Sequence, residues 1–76
     1  MNSRKFVIYL ESPPDREKLV ASIFTNNEQI AEINDEKDGL VIEIYARRTG
    51  EPWMLPLDEF LQSVRDARQK LVDHAA

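Results

Sequence analysis

The acidic residues are the ones in this chain whose type and spacing could most readily support catalysis. The stretch from Glu28 to Ala46 contains six acids and one base, Lys37, so it carries a net charge of −5 in a chain whose total is −4. Two such carboxylates could act as general acid and base if a cleft placed a substrate between them. The six acids are Glu28, Glu32, Asp35, Glu36, Asp38 and Glu43.

The rest of the composition argues against catalysis. The acids gather around a turn and a strand surface, and a domain of 76 residues seldom encloses a pocket. His74 is the only histidine and cysteine is absent, so neither a metal site nor a nucleophilic triad is indicated. We therefore expect a protein that is not an enzyme and that has no catalytic, cofactor-binding or metal-binding residues.

Length and charge predict one small domain, residues 1–76, in the cytoplasm. No apolar run is long enough to span a bilayer, and the apolar run after Met1–Lys5 is too short for a secretory signal. The absence of cysteine fits a reducing compartment. The net negative charge counts against direct contact with nucleic acid, because phosphate binding relies on clustered lysine and arginine.

Apolar alternation predicts four strands over residues 5–11, 19–25, 28–34 and 40–47. Asn26-Asn27 suits a tight hairpin turn because asparagine tolerates positive φ, and Glu36 to Gly39 forms a second turn. The segment from Ser12 to Phe24 also fits a helix, since Ser12 resembles an N-cap before a first-turn proline. Its β-branched residues favour the strand, and the helix remains the alternative.

Helical periodicity begins at Leu57 and predicts an amphipathic helix over residues 57–74. The expected fold is therefore α+β: a four-stranded antiparallel sheet with a C-terminal amphipathic helix packed on one face. The alternation assigns one set of side chains to the helix, namely Phe6, Ile8, Leu10, Ala21, Ile23, Ala31, Ile33, Leu40, Ile42, Ile44 and Ala46. The opposite set would lie on an open face that meets water or a partner, namely Val7, Tyr9, Val20, Phe24, Ile30, Val41 and Tyr45.

A four-residue turn places Glu32 directly opposite Glu43 on neighbouring strands. Like charges in this position are destabilising unless they are solvated or bridged, for example by Arg47 or Lys37, and they favour a basic partner. The sequence thus predicts a mixed acidic and aromatic partner-binding patch, although solvated acids remain the alternative. The patch comprises Glu28, Glu32, Asp35, Glu36, Asp38, Val41, Glu43 and Tyr45.

Four further residues have open roles. Trp53 could cover the end of the core or anchor an interface. Arg47 and Arg48 could be solvated, pair with the hairpin acids or contact a ligand. Arg68 falls inside the apolar arc of the helix, which indicates a structural ion pair.

The segment from Ile42 to Trp53 has the sequence IEIYARRTGEPW, and it is followed by LDEFL at Leu57–Leu61 and ARQKL at Ala67–Leu71. This series resembles short bacterial immunity proteins of contact-dependent growth inhibition. The resemblance implies a protein that binds and neutralises a cognate toxin domain, commonly a basic nuclease, without chemistry of its own. The alternative is a homodimeric structural or regulatory subunit that assembles through the open sheet face or an edge strand.

Overall fold

The chain folds into a four-stranded antiparallel sheet with one C-terminal helix packed on it, so the predicted α+β class is confirmed. The structure is a computed structural model that describes residues 5–75. Residues 1–4 and residue 76 of the predicted 1–76 domain lie outside the described range. The strands β1 to β4 lie in the sheet in chain order. The elements are β1 (Val7–Glu11), β2 (Val20–Thr25), β3 (Glu28–Lys37), β4 (Gly39–Ile44) and α1 (Leu57–Ala75).

The strand prediction is right for the second element and the helical alternative over residues 12–24 is wrong. Residues 12–19 form a loop that leads into β2 at Val20. The turn after β2 has Asn26 at φ 51° and Asn27 at φ 63°. Two successive positive φ values give the twist that joins antiparallel strands closely, so these asparagines fix the β2–β3 hairpin as the sequence indicated.

In the β3–β4 hairpin, β3 is longer and β4 is shorter than the alternation of apolar residues predicted. Strand β3 continues to Lys37, and β4 begins at Gly39 and ends at Ile44 rather than at residue 47. A register shift between Asn34 and Lys37 lets Lys37 pair with Gly39, whose φ of 118° favours glycine. The connection therefore narrows to Asp38, and the backbone leaves the ladder soon after Ile44.

A β-bulge moves Ile30 to the helix side of the sheet, so its assignment to the open face is wrong. The β2–β3 register shifts after Ile23, which pairs with Ala31, because the next pair is Phe24 with Gln29. Ile30 is therefore an extra residue between two ladder pairs, and such a residue breaks the strict alternation of side chains. It is fully buried in the helix-side core beside Ala31.

The helix covers β1, β2 and β3 but not β4. It packs on each of the first three strands, whereas no Cα atom of α1 comes within 8 Å of a Cα atom of the fourth. The assignment of the aliphatic set of β4 to the core is consequently wrong: Leu40, Ile42 and Ile44 are 38%, 39% and 60% exposed. Ala46, beyond the strand, is exposed as well. Strand β4 is thus an edge strand with an uncovered apolar surface.

The core lies between α1 and the first three strands. Its fully or almost fully buried members are Ala21, Ile23, Ile30, Ala31, Ile33, Ala67 and Leu71. Asp58 and Glu59 occupy the first turn of α1, where carboxylates suit the positive end of the helix dipole. Phe60 of that turn contacts Phe6 with ring centroids 5.9 Å apart. Among residues 5–75, no helix has the length and apolar character to cross a membrane.

Candidate functional site

The predicted pairing of two glutamates on the β3–β4 hairpin is confirmed, and its bridge comes from an unexpected residue. Glu32 lies directly opposite Glu43. Arg16, in the β1–β2 loop, places Nη2 3.0 Å from Glu32 Oε2 and 2.6 Å from Glu43 Oε1. One guanidinium therefore compensates both carboxylates. Of the two bridging residues expected, Arg47 lies instead near Glu51 and Trp53, and the side chain of Lys37 lies outside what the structure describes.

Two neutral side chains complete this arrangement, which we call the Arg16 cluster: Arg16, Glu32, Asn34, Glu43 and Tyr45. The Asn34 amide donates to Glu32 Oε2 at 3.0 Å and to Glu43 Oε1 at 3.2 Å. The Tyr45 hydroxyl donates to Glu32 Oε1 at 3.2 Å. The Glu32 side chain is only 8% exposed, so every one of these donors offsets the cost of removing a carboxylate from water.

The cluster changes the proton affinity of two of its members. The hydrogen bond to Glu43 raises the pKa of Arg16 above its already high ordinary value, with burial acting in the opposite direction. Burial raises the pKa of Tyr45, and the negative charge of Glu32 and the hydrogen bond to it raise it further. Arg16 and the Tyr45 hydroxyl thus keep their protons, and both remain donors to the glutamates.

The raised pKa of Tyr45 predicts a loss of stability in alkali. The folded protein binds the Tyr45 proton more tightly than the unfolded chain, and this difference stabilises the fold. The stabilisation is complete below the unfolded pKa of 10.0 and is lost as the pH rises through the higher pKa of the folded state. In urea titrations, the wild-type midpoint should fall more steeply above pH 10 than that of Tyr45→Phe. A spectrophotometric titration should show a late tyrosinate step that Tyr45→Phe lacks, and identical alkaline curves for the two proteins would contradict the prediction.

Two other predicted acids also bind the chain itself. Glu36 accepts the backbone N–H groups of Glu17 and Lys18 at 3.1 and 3.0 Å, which ties the β1–β2 loop to the hairpin. Glu28 accepts the Arg48 N–H at 2.7 Å, and the Arg48 side chain approaches it at 3.9 Å. These carboxylates therefore hold local structure, and partner binding by the predicted residues stays a prediction.

The loop brings additional acids beside the hairpin turn. Asp15 and Glu17 are exposed on the loop, Asp38 is exposed at the turn, and Asp35 and Glu36 are half-buried between them. We call these five residues the acidic tip. Sequence reasoning missed Asp15, Arg16 and Glu17 because the loop has no periodicity, and only the contacts of Glu36 and Arg16 bring it to the hairpin. It missed Asn34 because the role of this strand residue depends on the two glutamates beside it.

The open side of the sheet is less open than its alternation indicated. Val20 is completely buried, and Phe24 and Tyr45 are half-buried. Val7, Tyr9 and Val41 are 41%, 53% and 46% exposed. Val41 lies directly opposite Asn34 of the Arg16 cluster and beside the acidic tip, so it is the apolar member of the predicted patch that a partner could reach.

Trp53 packs against the core, as the first of its two predicted roles requires. Its Nε1–H donates to the Tyr45 carbonyl at 2.9 Å, and the Arg47 guanidinium lies 5.5 Å from the ring centroid. Arg47 also approaches Glu51 at 3.7 Å. The ion pair predicted for Arg68 is not found among residues 5–75, where this side chain is exposed.

Residues 5–75 contain no group of three or more histidine and acidic side chains arranged to hold a metal ion. Comparison of the chain with models of protein families, with curated proteins and with solved structures finds no match of any of the three kinds.

Proposed function

We propose that this chain is a cytoplasmic immunity protein that binds a cognate toxin domain, a basic nuclease, and neutralises it by association alone. The resemblance of residues 42–71 to immunity proteins of contact-dependent growth inhibition supports the choice of partner. The observation that carries the proposal is the acidic tip, which displays carboxylates on ordered backbone rather than on a flexible tail. Such a surface suits rapid capture of a positively charged protein.

The charge that remains for a partner is smaller than the sequence count. The carboxylates of Glu32 and Glu43 share Arg16, and Glu28 lies against Arg48. The exposed acids Asp15, Glu17 and Asp38 have no salt bridge to any residue whose side chain the structure describes, a set that leaves out Lys37. Uncompensated, solvent-exposed charges generate the field that steers association, whereas internally paired ones cancel at a distance.

Charge reversal at the tip should therefore slow association. We expect Glu17→Lys/Asp38→Lys to lower the association rate with the toxin domain about tenfold at low salt and to weaken its salt dependence. Both side chains are exposed, and the hydrogen bond of Glu17 to Glu36 uses the Glu17 backbone N–H, so the fold should survive. Stopped-flow fluorescence measures the rates.

A matched control places the same change of net charge elsewhere. Glu59→Lys/Asp66→Lys reverses two exposed acids on α1, away from the tip. The two double variants are compared at physiological salt, where screening limits the reach of a surface charge to about 8 Å, so the association rate of this control should fall less than about threefold. Equal effects of the two double variants would remove the tip from the proposed interface.

The direct test of function uses the C-terminal domain of a secreted toxin encoded next to this gene. Mixing the purified proteins should give a one-to-one complex with nanomolar affinity and abolish cleavage of nucleic acid. A complex that leaves cleavage unchanged would contradict neutralisation, and the absence of a complex would contradict the partner.

A further inference from the structure

The free edge of β4 presents a surface that complements itself. Its apolar side chains Leu40, Ile42 and Ile44 lie on the helix side of the sheet, where α1 does not pack on the strand and only Leu40 shares a cleft with Leu71 and Val72 of the helix. Strand β4 is the last strand in the sheet, so one side of its backbone lacks a ladder partner among residues 5–75. Native proteins usually protect such edges with charge, proline or a covering segment, and this strand is exposed through almost its whole length.

The backbone groups that face outward belong to the same three residues. The Tyr45 N–H donates to the Ile30 carbonyl across the hairpin, so Tyr45 points its backbone groups towards β3. Because these groups alternate along an antiparallel strand, Glu43 and Val41 also point towards β3, while Leu40, Ile42 and Ile44 point away. Hydrogen-bonding capacity and apolar surface therefore coincide at the edge.

We propose that a second copy of this chain pairs with β4, antiparallel and centred on Ile42, so that two copies share one continuous sheet. In this register Ile42 faces its symmetry mate and Leu40 faces Ile44 of the other copy. All three are outward-pointing residues, so each of these positions is a hydrogen-bonded pair. The same strand surface serves both copies, as a two-fold interface requires.

Charge favours a second copy over a foreign strand of arbitrary sequence. The chain before β4 has two acids and one base, Glu36, Asp38 and Lys37, and is negative on balance, whereas the chain after it is basic at Arg47 and Arg48. Antiparallel pairing brings the acidic end of one copy to the basic end of the other, whereas parallel pairing would place like charges together. The Arg48 side chain is 74% exposed and can reach across such an interface.

The size of the interface predicts weak association. Pairing two six-residue edge strands with their side chains buries on the order of 800 Å² in total, below the roughly 1,200 Å² of stable specific interfaces and within the range of weak, transient ones. A dissociation constant of about 10 to 100 µM is expected. This inference goes beyond the proposed function and does not depend on it, because it concerns the helix-side edge and requires no toxin.

Sedimentation equilibrium of the purified chain from about 10 to 500 µM tests the proposal. The wild-type protein should approach the mass of a dimer, and Ile42→Lys should raise the dissociation constant at least tenfold by placing two charges face to face. The control is Val7→Lys on the opposite edge strand, since Val7 is 41% exposed and Ile42 39% exposed. The control should change the constant less than threefold. A monomer at every concentration, or equal effects of the two variants, would overturn the proposal.

Disulfide trapping gives a second measurement that does not depend on how Ile42→Lys folds. The chain has no cysteine, so Ile42→Cys introduces a single thiol at the proposed two-fold axis. Hydrogen-bonded antiparallel partners have Cα atoms about 5.5 Å apart, which lies within disulfide range. Under mild oxidation Ile42→Cys should form covalent dimers more than tenfold faster than Val7→Cys. Equal rates would contradict pairing at β4 even if the protein is dimeric.

Discussion

Replacing Arg16 by methionine is expected to lower the melting temperature of this protein by about 10 °C. Methionine retains most of the apolar stem of the side chain but removes the guanidinium that Glu32 and Glu43 share. Two carboxylates would then face each other across the hairpin, one of them buried with only Asn34 and Tyr45 as donors. Breaking a buried ion pair from one side costs far more than losing a surface pair.

Arg47→Met is the matched control for this change. Arg47 is also partly buried, yet its salt bridge is to a single exposed glutamate, Glu51, at 3.7 Å. Its melting temperature should fall by less than about 4 °C, with part of that loss from the contact with Trp53. Glu43→Gln in the Arg16→Met background should recover part of the stability by removing the repulsion. If Arg16→Met had the melting temperature of the wild type, the stabilising role of the Arg16 cluster would be contradicted.

The second large effect concerns Ile30 and Ile44. The alternation of apolar residues predicted that Ile44 is buried under the helix and that Ile30 lies on the open face, and the structure shows the reverse. Ile30→Ala is expected to reduce the free energy of unfolding by about 3 kcal/mol, because Ile30 is completely buried in the core and its truncation leaves a cavity there. A domain of this size has roughly 4 to 11 kcal/mol in total, so the variant would be near the limit of folding. Urea titration of both proteins measures the difference.

Ile44→Ala makes the same chemical change on β4. Ile44 is 60% exposed on the side of the sheet that α1 leaves uncovered, so its loss should cost less than about 1 kcal/mol at concentrations where the chain is monomeric. If the two variants lost equal stability, the helix would have to cover β4 as well, and the fold described above would be incorrect.

Local sequence signals predicted most of the fold. The Asn26-Asn27 pair specified a hairpin turn, and the alternation of β4 with Gly39 before it placed Glu32 opposite Glu43 correctly. These predictions succeeded because turn chemistry and side-chain alternation depend on neighbours in the chain. The bulge at Ile30 escaped prediction, since neither glycine nor proline marks it.

The sequence of β4 could not show which strands of the sheet the helix covers. A strand with alternating Leu40, Ile42 and Ile44 has the same pattern whether a helix or a second protein covers it. The bridging role of Arg16 was equally hidden, because it follows from how a nonperiodic loop folds over the hairpin. The acids and the tyrosine of the predicted patch therefore do lie together in the structure. Which of the acids are exposed to water depends on the contacts of the β1–β2 loop, which the sequence pattern does not show.

The proposed function is protection against a toxin by binding it. Growth of cells that express the C-terminal domain of the proposed cognate toxin tests it most directly, with and without this chain expressed in the same cells. Full growth with the wild-type chain and weakened protection with Glu17→Lys/Asp38→Lys are the expected results. Cells that stop growing equally fast with and without a soluble, folded chain would contradict the claim.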